Sequence, residues 1–138
     1  MKKIILITVS VLFLISCKKT EFSPEGPTDV RIRNLTPDQI FYQVSVKTSD
    51  NEGDTGVLGD VGPGKESEYS RFTKAFIDIE VSAKINIKGS LETFSTGPVD
   101  FTYLQYVGKD KITYEVNIVD LNAKKLKITN RIPESGIK

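Results

Sequence analysis

The stretch Ile77-Asp78-Ile79-Glu80-Val81-Ser82-Ala83-Lys84-Ile85-Asn86-Ile87-Lys88 alternates apolar and polar residues from end to end. A period of two places Ile77, Ile79, Val81, Ala83, Ile85 and Ile87 on one face of a strand, with the polar residues on the other. A helix would scatter those six side chains around its axis. One face suits a core and the other suits water, which is the pattern of an antiparallel sheet.

The same period continues on both sides of this run. Towards the amino end, Val30 and Ile32 alternate with Arg31 and Arg33, and Ile40, Tyr42, Val44 and Val46 with Phe41, Gln43, Ser45 and Lys47. Towards the carboxyl end, Ile112, Tyr114, Val116 and Ile118 form a run, and Leu126 and Ile128 form the last. Weaker strands are expected at 56–61, 66–73, 91–95 and 100–107. Turn residues stand between these runs: Thr36-Pro37-Asp38, Gly62-Pro63-Gly64, Gly89-Ser90, Gly97-Pro98, Gly108-Lys109-Asp110 and Asn122-Ala123-Lys124. About nine short strands without a convincing helix predict an all-β domain over 29–132. The expected form is an antiparallel immunoglobulin-like or transthyretin-like β-sandwich, with a small barrel as the alternative. Residues 133–138 are expected to form a tail. The chain has no Trp and one Cys, so "immunoglobulin-like" describes architecture only.

The amino end reads differently. Lys2 and Lys3 precede Ile4–Ile15, which is apolar apart from Thr8 and Ser10. As a helix this segment reaches about 18 Å, short of the roughly 30 Å hydrocarbon core of a bilayer. It fits the apolar region of a secretory signal. The following Leu14-Ile15-Ser16-Cys17 resembles the lipobox of bacterial lipoproteins, and Cys17 is the sole cysteine. The resemblance implies cleavage between Ser16 and Cys17, with lipidation of the Cys17 thiol. Residues 1–16 are then a signal peptide. Residues 17–28 are a lipidated Cys and a flexible tether, KKTEFSPEGPT after the Cys. Extended, that tether spans roughly 35 Å. Multiple acyl chains anchor a protein firmly where one chain is marginal. Lys18 occupies the place where Asp is associated with inner-membrane retention, so the outer membrane is expected. Display at the cell surface is favoured slightly over the periplasmic face.

Composition narrows the chemistry. The chain carries 19 Lys+Arg, 18 Asp+Glu and no His. The absence of His excludes Ser-His-Asp and Cys-His catalysis and His-ligated metal sites. The near-neutral balance gives no basic footprint for nucleic acid. A lone Cys excludes an internal disulfide. No catalytic, cofactor-binding or metal-binding residue is therefore assigned, and no cofactor is expected.

Four clusters merit weighing. Asp50-Asn51-Glu52-Gly53-Asp54 is rich in oxygen ligands that suit calcium, but it lacks the EF-hand spacing and reads as a solvated hairpin loop. Phe94, Phe101, Tyr103, Tyr106 and Tyr114 concentrate aromatic rings that would stack on a glycan if exposed, yet Phe101 and Tyr103 alternate like core residues. Glu66 with Glu68, and Asp78 with Glu80, have the separation of paired glycosidase carboxylates, but adjacent positions on a wet face produce that spacing trivially. Lys124, Lys125, Lys127 and Arg131 surround the last strand, either to meet anionic headgroups or to protect an edge.

The region after the tether is also similar to a group of small bacterial lipoproteins. Val30-Arg31-Ile32-Arg33-Asn34-Leu35-Thr36, Gly59-Asp60-Val61 ahead of Ser67-Glu68-Tyr69, and Ile112-Thr113-Tyr114-Glu115 carry the similarity. It implies a β-sandwich and brings no catalytic residue. The expectation is a monomeric, non-enzymatic binding or structural module, held at the membrane by lipid and meeting an envelope protein or a glycan through its loops.

Overall fold

A computed structural model describes residues 25–136. The expected signal segment, Ser16, Cys17 and most of the tether lie outside these residues. The strands are β1 (Thr28–Asn34), β2 (Phe41–Lys47), β3 (Thr55–Val61), β4 (Ser70–Phe72), β5 (Glu80–Ile87), β6 (Ser90–Ser95), β7 (Lys111–Asp120) and β8 (Lys125–Pro133). They form one sheet in the order β3-β2-β5-β6-β8-β7-β1-β4. Among the described residues no helix is long and apolar enough to cross a membrane.

The all-β expectation holds, but the sheet is mixed. Five ladders are antiparallel, whereas β1 runs parallel to β7 from Asp29↔Lys111 to Asn34↔Val116. A second parallel contact joins β6 to β8 through the single pair Ser95↔Lys125. Hairpins force neighbouring strands to be antiparallel, but β1 and β7 are separated by most of the domain, so no tight turn dictates their direction. The sheet curls until its end strands approach each other. There Gly56 on β3 lies against Phe72 on β4: a Cβ at Gly56 would stand 3.1 and 3.2 Å from ring carbons of Phe72.

The core follows the alternation. Ile79, Val81, Ala83 and Ile85 are buried with Val30 and Ile32 of β1, Ile112, Tyr114 and Val116 of β7, and Leu126 of β8. Full burial of such a side chain contributes about 1.5–3 kcal/mol relative to exposure. The Tyr114 hydroxyl, inside this core, donates to the Phe76 carbonyl at 2.6 Å. Burial pushes that phenol well above its ordinary value.

Four expectations need correction. The strand expected from Ile77 begins at Glu80, and Ile77 lies before it in a bend, half-buried. On β2, Phe41 is buried and Ile40 exposed, the reverse of the expected phase. Gln43 adopts φ 48°, and the register with β3 and β5 slips around it. This bulge lets Phe41 and Val44 face inward although they are three positions apart. The expected strand at 66–73 shrinks to Ser70–Phe72. Ser67 spans the gap, its amide donating to the Ile32 carbonyl and its hydroxyl accepting from the Ile32 amide. The expected strand at 100–107 is a loop with a single bridge, Phe76↔Tyr106. Asp100 accepts from the Thr102 amide at 3.0 Å and the Thr102 hydroxyl at 2.6 Å, an Asx-type turn that breaks extension.

Both edges of the described sheet fall at residues that the sequence assigns to flanking segments. Thr28 already belongs to β1, and its hydroxyl donates to the Gly108 carbonyl at 2.6 Å. Pro133, placed in the tail from sequence, is the last residue of β8.

Candidate functional site

β1 ends at Asn34, opposite Val116, while β7 continues to Asp120. The overrun leaves the last turns of β7 beside the β1–β2 loop. Between Thr36–Gln39 and Asn117–Leu121 lies an open groove of about 520 Å³. Val119 is 50% exposed and Leu121 57% exposed. The Ile118 amide donates to the Asn117 side-chain oxygen at 2.9 Å, which blunts the strand edge facing the groove.

Asn34 builds the loop wall. It is fully buried, and its amide nitrogen donates to the Gln39 carbonyl at 2.7 Å and the Val61 carbonyl at 3.0 Å. Its oxygen accepts from the Thr36 amide at 2.9 Å and the Thr36 hydroxyl at 2.5 Å. One side chain thus fixes both ends of the loop and ties it to β3. On the opposite wall, Asp120 is occupied with its own turn, accepting from the Asn122 and Ala123 amides at 2.9 Å each. The groove therefore offers apolar side chains on a fixed frame, rimmed by polar ones. Asp38 and Asp120 line it with Thr36, whose hydroxyl donates to the Asn34 side-chain oxygen and the Gln39 carbonyl.

The clusters singled out from sequence are dispersed. In the acidic loop, Asp54 turns inward and is fully buried. It accepts from the Ser49 hydroxyl at 2.5 Å, the Thr73 amide at 2.8 Å and the Thr73 hydroxyl at 2.6–2.7 Å. Burial pushes its carboxyl up, but these hydrogen bonds outweigh burial and hold it below the usual value. Asp50 pairs outward with Lys47 at 3.1 Å. Among the described residues no group of three or more metal-ligating acidic or thiol side chains converges.

The paired carboxylates separate into structural roles. Glu66 bridges Arg31 at 3.1 Å and Arg33 at 2.9 Å. Arg33 also holds Glu115 at 2.6 Å, and Asn130 donates to Glu115 at 2.7 Å. The Asn130 bond, joined by that of Arg33, keeps the Glu115 carboxyl below its usual value against the opposing effect of burial. Glu68 stands apart and exposed. Asp78 pairs with Arg131, whereas Glu80 accepts from the Val99 amide at 3.0 Å. This network escaped the sequence because Arg31, Arg33, Glu66 and Glu115 come from three distant segments.

The aromatics divide as well. Phe94, Phe101 and Tyr114 are buried. Phe76 stacks between Phe101 and Tyr106 at centroid distances of 5.1 and 4.6 Å. Tyr103 alone is open to solvent, at 94%. Of the basic cluster, Lys124 pairs with Glu92 at 3.2 Å. Lys125 and Lys127 are exposed along β8, where its ladder to β6 consists of one pair.

No family model matches the chain, and no curated protein matches it. A solved NMR structure of a protein from Eubacterium rectale is similar, with a TM-score of 0.49 and 18% identity, over 75% of this chain and 88% of that one.

Proposed function

We propose that the protein is a lipid-anchored protein of the outer membrane whose domain is a non-catalytic binding module. Ser16 and Cys17 flank the cleavage point, and Cys17 carries the lipid. The domain works as a monomer that presents its groove to a partner of the envelope or cell surface. The observation that carries this reading is the placing of the groove. The chain comes into the fold at the start of β1, beside the start of β7, and the groove lies past the end of β1, along the last residues of β7. At about 3.3 Å per residue, β7 separates the two ends by roughly 30 Å.

The chemistry supports binding over catalysis. The chain has no His; of the carboxylates near one another in sequence, Glu66 and Asp78 hold arginines, while Glu80 and Asp54 accept from amides or hydroxyls. Exposed Val119 and Leu121, rimmed by polar groups, suit a protein segment. A glycan platform would need neighbouring exposed rings, and among the described residues Tyr103 is the one exposed aromatic side chain. The finer architecture is proposed to be a sandwich of two four-stranded halves, immunoglobulin-like in outline. The single Ser95↔Lys125 pair between them supports that division.

The test compares wild type with Cys17→Ala in cells. Wild type is expected in the outer-membrane fraction with the mass of a lipidated chain starting at Cys17. The variant is expected unprocessed or released. Equal mass and equal membrane retention in both would remove the anchoring claim. A photo-crosslinker at position 121 is expected to capture a partner that one at position 57, on β3, does not. Identical capture at both positions would remove the groove.

A further inference from the structure

We propose that the end of the fold carrying Tyr103 rests in the interfacial layer of the bilayer that holds the lipid anchor. This rests on the anchoring reading above and adds an orientation to it.

The tether does not hang free up to β1. The Glu25 carboxylate reaches Lys74 at 3.7 Å. Gly26 lies on the Thr73 carbonyl so closely that a Cβ there would stand 1.9 Å from that oxygen. Thr28 donates to Gly108, and the Asp29 amide donates to the Asp110 carbonyl at 2.9 Å. Only residues 18–24 then separate Cys17 from the docked chain. Fully extended, they reach at most about 25 Å. The segments that receive the tether, 73–77 and 105–110, also bear the Tyr103 loop. The Ile77 amide donates to the Gln105 carbonyl, and the Val107 amide donates to the Ala75 carbonyl.

Tyr103 is carried on this end by a hydrogen-bonded turn. It sits in the turn closed by the Leu104 amide on the Phe101 carbonyl. Phe101 anchors that turn through its stack on Phe76, and Asp100 pins Thr102. A tyrosine ring combines an apolar body with a polar tip and is favoured at headgroup depth. Its burial there orders little else, because the turn is already hydrogen-bonded. A short tether supplies an effective concentration on the order of millimolar, so weak interfacial affinity suffices. Lys109, exposed six positions after Tyr103, would meet lipid phosphates.

The chain contains no Trp, so Tyr103→Trp introduces a single reporter at an exposed position. The full lipidated chain is reconstituted into phosphatidylcholine vesicles with and without lipids brominated near the headgroup. Leu121→Trp, at the groove end, serves as the comparison. Indole emission at position 103 is expected to shift to the blue and to be quenched severalfold by brominated lipid, with neither effect at 121. Water-like, unquenched emission at 103 in chains that float with the vesicles would overturn the orientation while leaving the anchor intact. Equal quenching at both positions would overturn it as well. Chains that do not float with vesicles would overturn the anchor and the orientation together.

Discussion

Asp54 shows how one side chain settles a local question of structure. It is fully buried and gathers hydroxyl and amide donors from Ser49 and Thr73, joining the β2–β3 connection to the segment after β4. Asp54→Ala is expected to cost about 1–3 kcal/mol at neutral pH, because those donors lose their acceptor. The folded carboxyl titrates below the unfolded one. Its contribution is therefore complete above about pH 4, the unfolded range. It fades as pH falls through the lower folded value. Urea midpoints of wild type and variant should converge in acid. A gap that widens in acid would mean that the hydrogen bonds favour the protonated form. Sequence gave no hint of this inward turn: Asp54 closes the most acidic stretch of the chain and reads as solvated. Asn34 was hidden for a similar reason, since its partner Val61 lies 27 positions away. A buried polar residue is recognisable only through partners that the fold delivers.

The strands divide by how much of their environment is local. β5 was legible because a strand with one wet face writes its period directly into the chain, and Ile79 to Ile85 are buried at every second position. β2 was misread because Ile40, Phe41 and Tyr42 are all apolar, so either phase fits. The bulge at Gln43 made the choice, and its amide is taken by Asp60 of β3 at 2.9 Å. Gln43 sits at φ 48°, a conformation that costs a non-glycine residue about 1–2 kcal/mol. Glycine there removes that strain but orders a freer chain, at about 0.5–1 kcal/mol. Gln43→Gly is thus expected to raise stability by up to about 1 kcal/mol, read from a higher denaturant midpoint at constant slope. A lower midpoint would show that the bulge does not impose strain. The groove was likewise illegible. It exists because β1 stops at Asn34 while β7 runs on, and that mismatch depends on a parallel register between distant strands.

At the scale of the molecule, a curled sheet must settle how its two ends meet. β3 and β4 are the end strands, and each would otherwise expose an edge that invites pairing with another chain. No ladder joins them, yet Gly56 allows the Phe72 ring to lie directly against β3. Phe72 is buried with the rest of the core, so this packing extends the core to the open seam of the sheet. The seam is tight: even one Cβ at position 56 would need the ring to yield by a few tenths of an ångström. Gly56→Val adds more volume than that and is expected to cost about 1–3 kcal/mol through overpacking. If the ring is the obstacle, Phe72→Ala should make room for the valine. The double variant should then cost less than the sum of the two single variants, by about 0.5–3 kcal/mol of coupling. Additive costs in denaturant unfolding would mean that Phe72 does not close the seam. The sheet would then rely on its ladders alone to hold its ends together.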